Sequence, residues 1–178
     1  MNPSSRTEPQ TRRQHAIHFR RLSITIVSGV GTGPTAVAAF DAALRDASIA
    51  NYNLLPLSSV IPACSEIIVS DDPPALAGTW GDRLYLVIAE RRVTTPDQHG
   101  FAGIGWVQEP ASGKGLFVEH IGTSREQVES DIEASLAAMC AGRPTSSFGP
   151  VQRRVEGVAC RDQPVCALVA AVYDTAPW

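Results

Sequence analysis

"LLPLSSVIP", residues 54–62, sets two adjacent serines, Ser58 and Ser59, between an apolar run and a proline. Two readings of the pair are open: a polar turn, or a bond at which the chain cuts its own backbone. The surrounding sequence decides between them.

Immediately upstream, "NYNLLPL" (51–57) reads as a strand, although asparagine is depleted in strands. Asn51 and Asn53 therefore carry either specific hydrogen bonds or the plain polarity of a strand edge. Further back, "SITIVSG" (23–29) is a β-rich apolar run, and "PTAVAAFDAALRDA" (34–47) has the period of a helix. Ala36, Ala39, Phe40, Ala43, Leu44 and Ala47 make its apolar face, with Thr32 or Thr35 as cap and Pro34 near the first turn. Between them, "GVGTGPT" (29–35) lacks the GxxxxGK[ST] and GxGxxG patterns of nucleotide loops. It is expected to be a tight turn using positive φ, or a turn that lets a small ligand approach the backbone.

Downstream, "SDDPPALAGTWGD" (70–82) is a loop. "RLYLVIAER" (83–91), "FAGIGWVQE" (101–109) and "LFVEH" (116–120) are strand-like, with "GKG" (113–115) as a turn. "TSREQVESDIEASLAAMCAG" (123–142) is the clearest helix. Thr123 with Glu126, or Ser124 with Gln127, offers a capping box; Val128, Ile132, Leu136 and Met139 form the stripe; Gly142 ends it. "VQRRVEGVAC" (151–160) and "VCALVAAVYD" (165–174) close the chain as strands, the last apolar enough to lie centrally. Seven strands and two helices fit an α+β sandwich better than a doubly wound βαβ repeat.

The 178 residues fit one domain, 23–178, able to bury a core without disulfide staples. With 44% hydrophobic and 19% charged residues the composition is that of a globular protein, and a net charge of −3 argues against a dedicated nucleic-acid binder. Residues 1–22 hold five arginines against one glutamate and no apolar core. They read as a disordered basic tail, not as a secretory signal. No run of about 18 apolar residues is present, so no membrane span is expected. Cys64, Cys140, Cys160 and Cys166 lack zinc-site spacing, so no metal is expected; buried free thiols in a reducing cytoplasm are.

Three polar positions stand out. Asp41 lies beside the apolar face of the first helix; it pairs with Arg45 four residues on, or it anchors a cationic substrate. Glu119 places a carboxylate in the apolar run "GLFVEHIG" (115–122), where partial burial would raise its pKa and suit it to proton donation. The plainer alternative is strand alternation, with Phe117 and Glu119 on one partly solvated face. His120 is a lone histidine without a visible partner. For Ser58-Ser59, the chemistry of scission is specific. A strained turn holds the Ser59 hydroxyl against the Ser58 carbonyl, and an N-to-O acyl shift turns the amide into an ester. β-Elimination releases the upstream chain and leaves dehydroalanine, which hydrolyses with loss of ammonia to a pyruvoyl group. This needs a serine nucleophile, a constrained backbone and stabilisation of the oxyanion. Pro56 and Pro62 restrict the backbone on both sides and bias Leu55 and Ile61 to extended conformations.

"FDAAL" (40–44), "ANYNLLPLSSVIP" (50–62) and "GLFVEH" (115–120), in this order and spacing, resemble the pyruvoyl-dependent arginine decarboxylases over about residues 23–172. The resemblance implies an αββα sandwich and a trimer of self-cleaved protomers with active sites between subunits. It implies a β chain of residues 1–58 and an α chain of 59–178 whose first residue, Ser59, becomes the pyruvoyl cofactor. By the same resemblance Asn53 helps processing and contacts substrate, Asp41 pairs with the substrate guanidinium, and Glu119 protonates the intermediate. The implied reaction converts arginine to agmatine and carbon dioxide through a Schiff base on the pyruvoyl group. "GVGTGPT" and the "ACSE" after Pro62 depart from archaeal members in a way that bears on pocket shape. The same chemistry on another amino acid, or an uncleaved trimeric relative that binds without catalysis, stays open at this point.

Overall fold

A strand leads into a helix whose inner face is almost all alanine, and that pairing sets the first layer. In the computed structural model, which describes residues 21–72, 76–144 and 146–178, β1 (Leu22–Thr32) runs directly into α1 (Ala36–Asp46). The side chain of Thr35 accepts the Ala38 N–H and caps α1. The expected glycine turn is not one: Gly29 and Gly31 lie within β1, and neither has positive φ. They are glycines because the helix lies on them. A Cβ on Gly29 would stand 2.3 Å from the Ala43 carbonyl oxygen, and one on Gly31 would stand 2.2 Å from that of Ala39. The helix covers the face of these two glycines, while an open polar pocket reaches Ser28, Gly29 and Val30 between Asp46, Asp71, Arg154 and Glu156.

The other elements are β2 (Asn53–Pro56), β3 (Val60–Ile61), β4 (Ser65–Val69), β5 (Arg83–Val93), β6 (His99–Gln108), β7 (Gly115–Gly122), α2 (Arg125–Ala141), β8 (Gln152–Ala159) and β9 (Val165–Ala176). They form two sheets, one ordered β2-β5-β9-β1-β4 and the other β3-β7-β6-β8. The pairs β1–β4 and β2–β5 are parallel and the rest antiparallel. β9 is central in its sheet, as its unbroken apolar run from Val165 to Val172 requires.

Three layers of core hold this together. Between the sheets, Ile24, Ile26, Val87, Val169 and Ala171 meet Ile104, Trp106 and Phe117. On the outer face of the larger sheet, Ala39 and Ala43 of α1 pack on Val27, Leu84, Leu86 and Leu168. On the outer face of the smaller sheet, Val128, Ile132 and Leu136 of α2 cover Val107, Leu116, Val118 and Val155. The order helix, sheet, sheet, helix is the αββα sandwich within the α+β class.

Several boundaries differ from expectation. β3 and β4 were not foreseen, and β1 begins at Leu22, one residue inside the expected tail. Of that tail, residues 1–20 lie outside the described residues; Arg21 pairs with Glu66 at 2.7 Å. α2 is capped by Ser124, which accepts from Gln127 N–H at 3.1 Å. The Gln127 side chain reaches back to Thr123 instead of Ser124, so only half of a capping box forms. All four cysteines are free, but only Cys160 and Cys166 are buried; Cys140 is half-buried and Cys64 exposed. Burial, with the charge of Glu90 behind it, pushes the Cys166 thiol up to about 12. No helix among the described residues is long and apolar enough to cross a membrane.

Candidate active site

The serine pair sits where the chain changes sheets. β2 belongs to the larger sheet and β3 to the smaller, so residues 57–59 bridge the sandwich at its rim. Both ends of the bridge are fastened by main-chain bonds. Leu57 N–H donates to the Leu86 carbonyl and Phe117 N–H to the Ser59 carbonyl, each at 2.8 Å. Pinned in this way, Ser59 has φ of +64°, a region that costs a residue with a Cβ about 1–3 kcal/mol and that persists only where neighbours impose it. The constrained backbone that scission chemistry requires is therefore present at Ser59.

The Ser59 hydroxyl donates to Glu119, lying 2.8 Å from Oε1 and 2.9 Å from Oε2. Alternation along β7 explains the meeting: Phe117 and Glu119 share the face toward the other sheet, Phe117 inside the sandwich and Glu119 at its edge. The expectation of partial burial fails here, because Glu119 is exposed in the single chain. His120, on the opposite face of β7, instead bonds Ser135 of α2 at 2.8 Å and takes no part in this cluster.

Tyr173 was not singled out from the sequence. It lies near the end of β9, its ring edge-on to Phe117 with centroids 6.2 Å apart, and its hydroxyl donates to the Val60 carbonyl at 3.0 Å. Burial, and after it the negative charge of Glu119, pushes its phenol well above the ordinary tyrosine value. It stays a neutral donor that holds the residue after Ser59. The signal available in the sequence was a lone hydroxyl at the end of an alanine-valine strand.

Asn53 and Asp41 lie elsewhere. Asn53 starts β2, with its N–H on the Asp82 carbonyl at 2.8 Å and its side-chain amide donating to the Gly81 carbonyl. Asn51, with φ of +72°, forms the turn before it and accepts Gly81 N–H. Asp41 is exposed on α1 and pairs with Arg45 at 3.3 Å. No hydrogen bond among the described residues links either of them to Ser59 or Glu119. Ser58 is exposed and provides the carbonyl side of the bond in question. Among the described residues no group of three or more His, Cys, Asp or Glu side chains converges as metal ligands would.

Known proteins resemble this chain over most of its length. Residues 23–176 match the family described as pyruvoyl-dependent arginine decarboxylase. A protein of that name from Halobacterium salinarum is 36% identical over 152 residues, covering 84% of this chain and 92% of that protein. One from Thermoplasma volcanium is 30% identical over 139 residues, 77% of this chain and 74% of its own length. A third, pyruvoyl-dependent arginine decarboxylase 2 from Archaeoglobus fulgidus, is 31% identical over 107 residues. Because the match spans both sheets and both helices together with the strained Ser59, the chain belongs to the pyruvoyl-dependent arginine decarboxylase family.

Proposed function

We propose that this chain is a self-processing decarboxylase that converts arginine to agmatine and carbon dioxide, using a pyruvoyl group made from Ser59. The observation that carries the reading is the strained Ser59 with its hydroxyl on Glu119. Scission between Ser58 and Ser59 leaves a β chain of 1–58 and an α chain of 59–178. The residues fit that outcome. Cleavage relieves the positive φ of Ser59, while its carbonyl stays on Phe117 N–H and Val60 stays on Tyr173. The new α-chain terminus is thus held against Glu119.

In the finished site the pyruvoyl ketone supplies an electrophile for the substrate α-amine and a sink for the electrons left by departing carbon dioxide. Glu119, within hydrogen-bond reach of the Ser59 side chain, delivers a proton at that position. Asp41 receives the substrate guanidinium, a role that its bond to the Arg45 guanidinium already illustrates. Asn53 orients substrate and assists processing.

Since Asp41 lies on the outer helix while half-buried Ser59 and exposed Glu119 lie at the sandwich rim, we place the site between subunits of a trimer, where a second copy supplies the missing wall. The free cysteines accord with a cytoplasmic setting. A panel of amino acids monitored for carbon dioxide release tests the reading. Release from arginine above all others is expected; release from a different amino acid alone would overturn the substrate, and release from none would overturn the activity.

A further inference from the structure

Pro177 and Trp178 meet the loop before β5 at Gly81, whose carbonyl also receives the Asn53 side chain. Trp178 Nε1–H donates to the Gly81 carbonyl at 2.8 Å, and the side-chain amide of Asn53 donates to that same oxygen. Arg83 ties the tail down from the other side. Its guanidinium bonds the Pro177 carbonyl and lies 5.1 Å from the centre of the Trp178 ring. The peptide unit that bears this carbonyl is also held through its N–H, which Asp82 donates to the Thr79 carbonyl at 3.1 Å. Gly81 has φ of +89°, and a Cβ built there would meet nothing within 4 Å. No side chain can fix this residue, and its carbonyl and N–H are both engaged in hydrogen bonds. Trp178 is itself 81% exposed, so its anchorage is polar and cationic, not core burial.

We infer that Pro177 and Trp178 form a clasp that positions Asn53, with Trp178 as a positioning residue for the site. The Trp178 N–H fixes the Gly81 carbonyl; that carbonyl orients the Asn53 amide. Gly81 N–H on Asn51 and Asn53 N–H on Asp82, both at 2.8 Å, carry the same constraint along the main chain. The inference rests on the role proposed above for Asn53 only where it predicts activity, not where it predicts structure.

Two variants of the protein test it: Trp178→Phe, which keeps a ring on Arg83 but loses the N–H, and a chain from which Pro177 and Trp178 are removed. Hydrogen exchange of the Gly81 and Asn53 amides should speed up by about three- to tenfold in both, the scale of one lost hydrogen bond. Cleavage of newly made chain should slow, and KM should rise more than kcat falls. In an Asn53→Ala background the Trp178 change should add nothing further, because coupled residues are not additive. Unchanged exchange in both variants would overturn the clasp, as would full additivity with Asn53→Ala. Should Asn53→Ala alone leave cleavage and KM untouched, the role of Asn53 falls, while faster exchange in Trp178→Phe still upholds the clasp.

Discussion

The Ser59 hydroxyl donates to both oxygens of Glu119, a residue 60 positions later in the chain. The contact joins β7 to the crossover between two sheets, and it sets a strained serine beside a carboxylate.

Replacing Glu119 with Gln separates two uses of that carboxylate. The amide oxygen still accepts from the Ser59 hydroxyl, so the turn and its cleavage are retained. Proton delivery is lost, and turnover of arginine falls by about a hundredfold or more. Carbon dioxide release from the cleaved variant measures this; near-parental turnover would remove Glu119 from the chemistry.

Asp41→Ala should act on substrate alone. Losing a charge-assisted bond to a guanidinium raises KM for arginine by about ten- to a hundredfold. Cleavage is unaffected, and the exposed pair with Arg45 contributes only about 0.5 kcal/mol to stability. Steady-state kinetics beside a thermal melt check both halves of the prediction.

How much of this the sequence could show depended on pattern length. Both helices and the long strands have enough residues for their periods to stand out. β3 has two residues and β4 five, and β4 is defined by parallel pairing with β1, a partner far away in the chain. The glycines of β1 looked like a turn because their cause, the underside of α1, is tertiary. Within the site, the pairing of Asp41 with Arg45 followed from local spacing. The meeting of Ser59 with Glu119 did not: it depends on two sheets closing on each other, and only the family resemblance pointed to it. Tyr173 was missed for the same reason, since its hydroxyl gains meaning only when Val60 is laid over it.

Gly31→Ala tests the close contact of α1 with β1. The added Cβ would lie 2.2 Å from one main-chain atom of the helix and 2.4 Å from another, so the helix must move. A loss of about 2 kcal/mol or more is expected in denaturant unfolding. An unchanged midpoint would mean that the layers are further apart than described.

Tyr173→Phe removes the donor to the Val60 carbonyl and should cost about 1 kcal/mol while slowing cleavage. The raised phenol also predicts a pH effect. With a folded value above the unfolded one, the contribution of Tyr173 to stability is intact below the unfolded value of about 10 and is lost as pH rises beyond it. Denaturant melts at about pH 8 and about pH 11 should therefore show a shallower alkaline loss in the Phe variant than in the parent.

The most direct test of the central claim is the intact mass of the purified, fully incubated protein. Scission before Ser59 predicts two chains, one of 58 residues and one of 178 − 58 = 120, the larger lighter by one ammonia than a chain with a free N-terminal serine. Ser59→Ala should abolish the split, and Ser58→Ala should preserve it, because only the carbonyl of Ser58 takes part. A parental chain that stays whole at 178 residues after prolonged incubation would contradict the account.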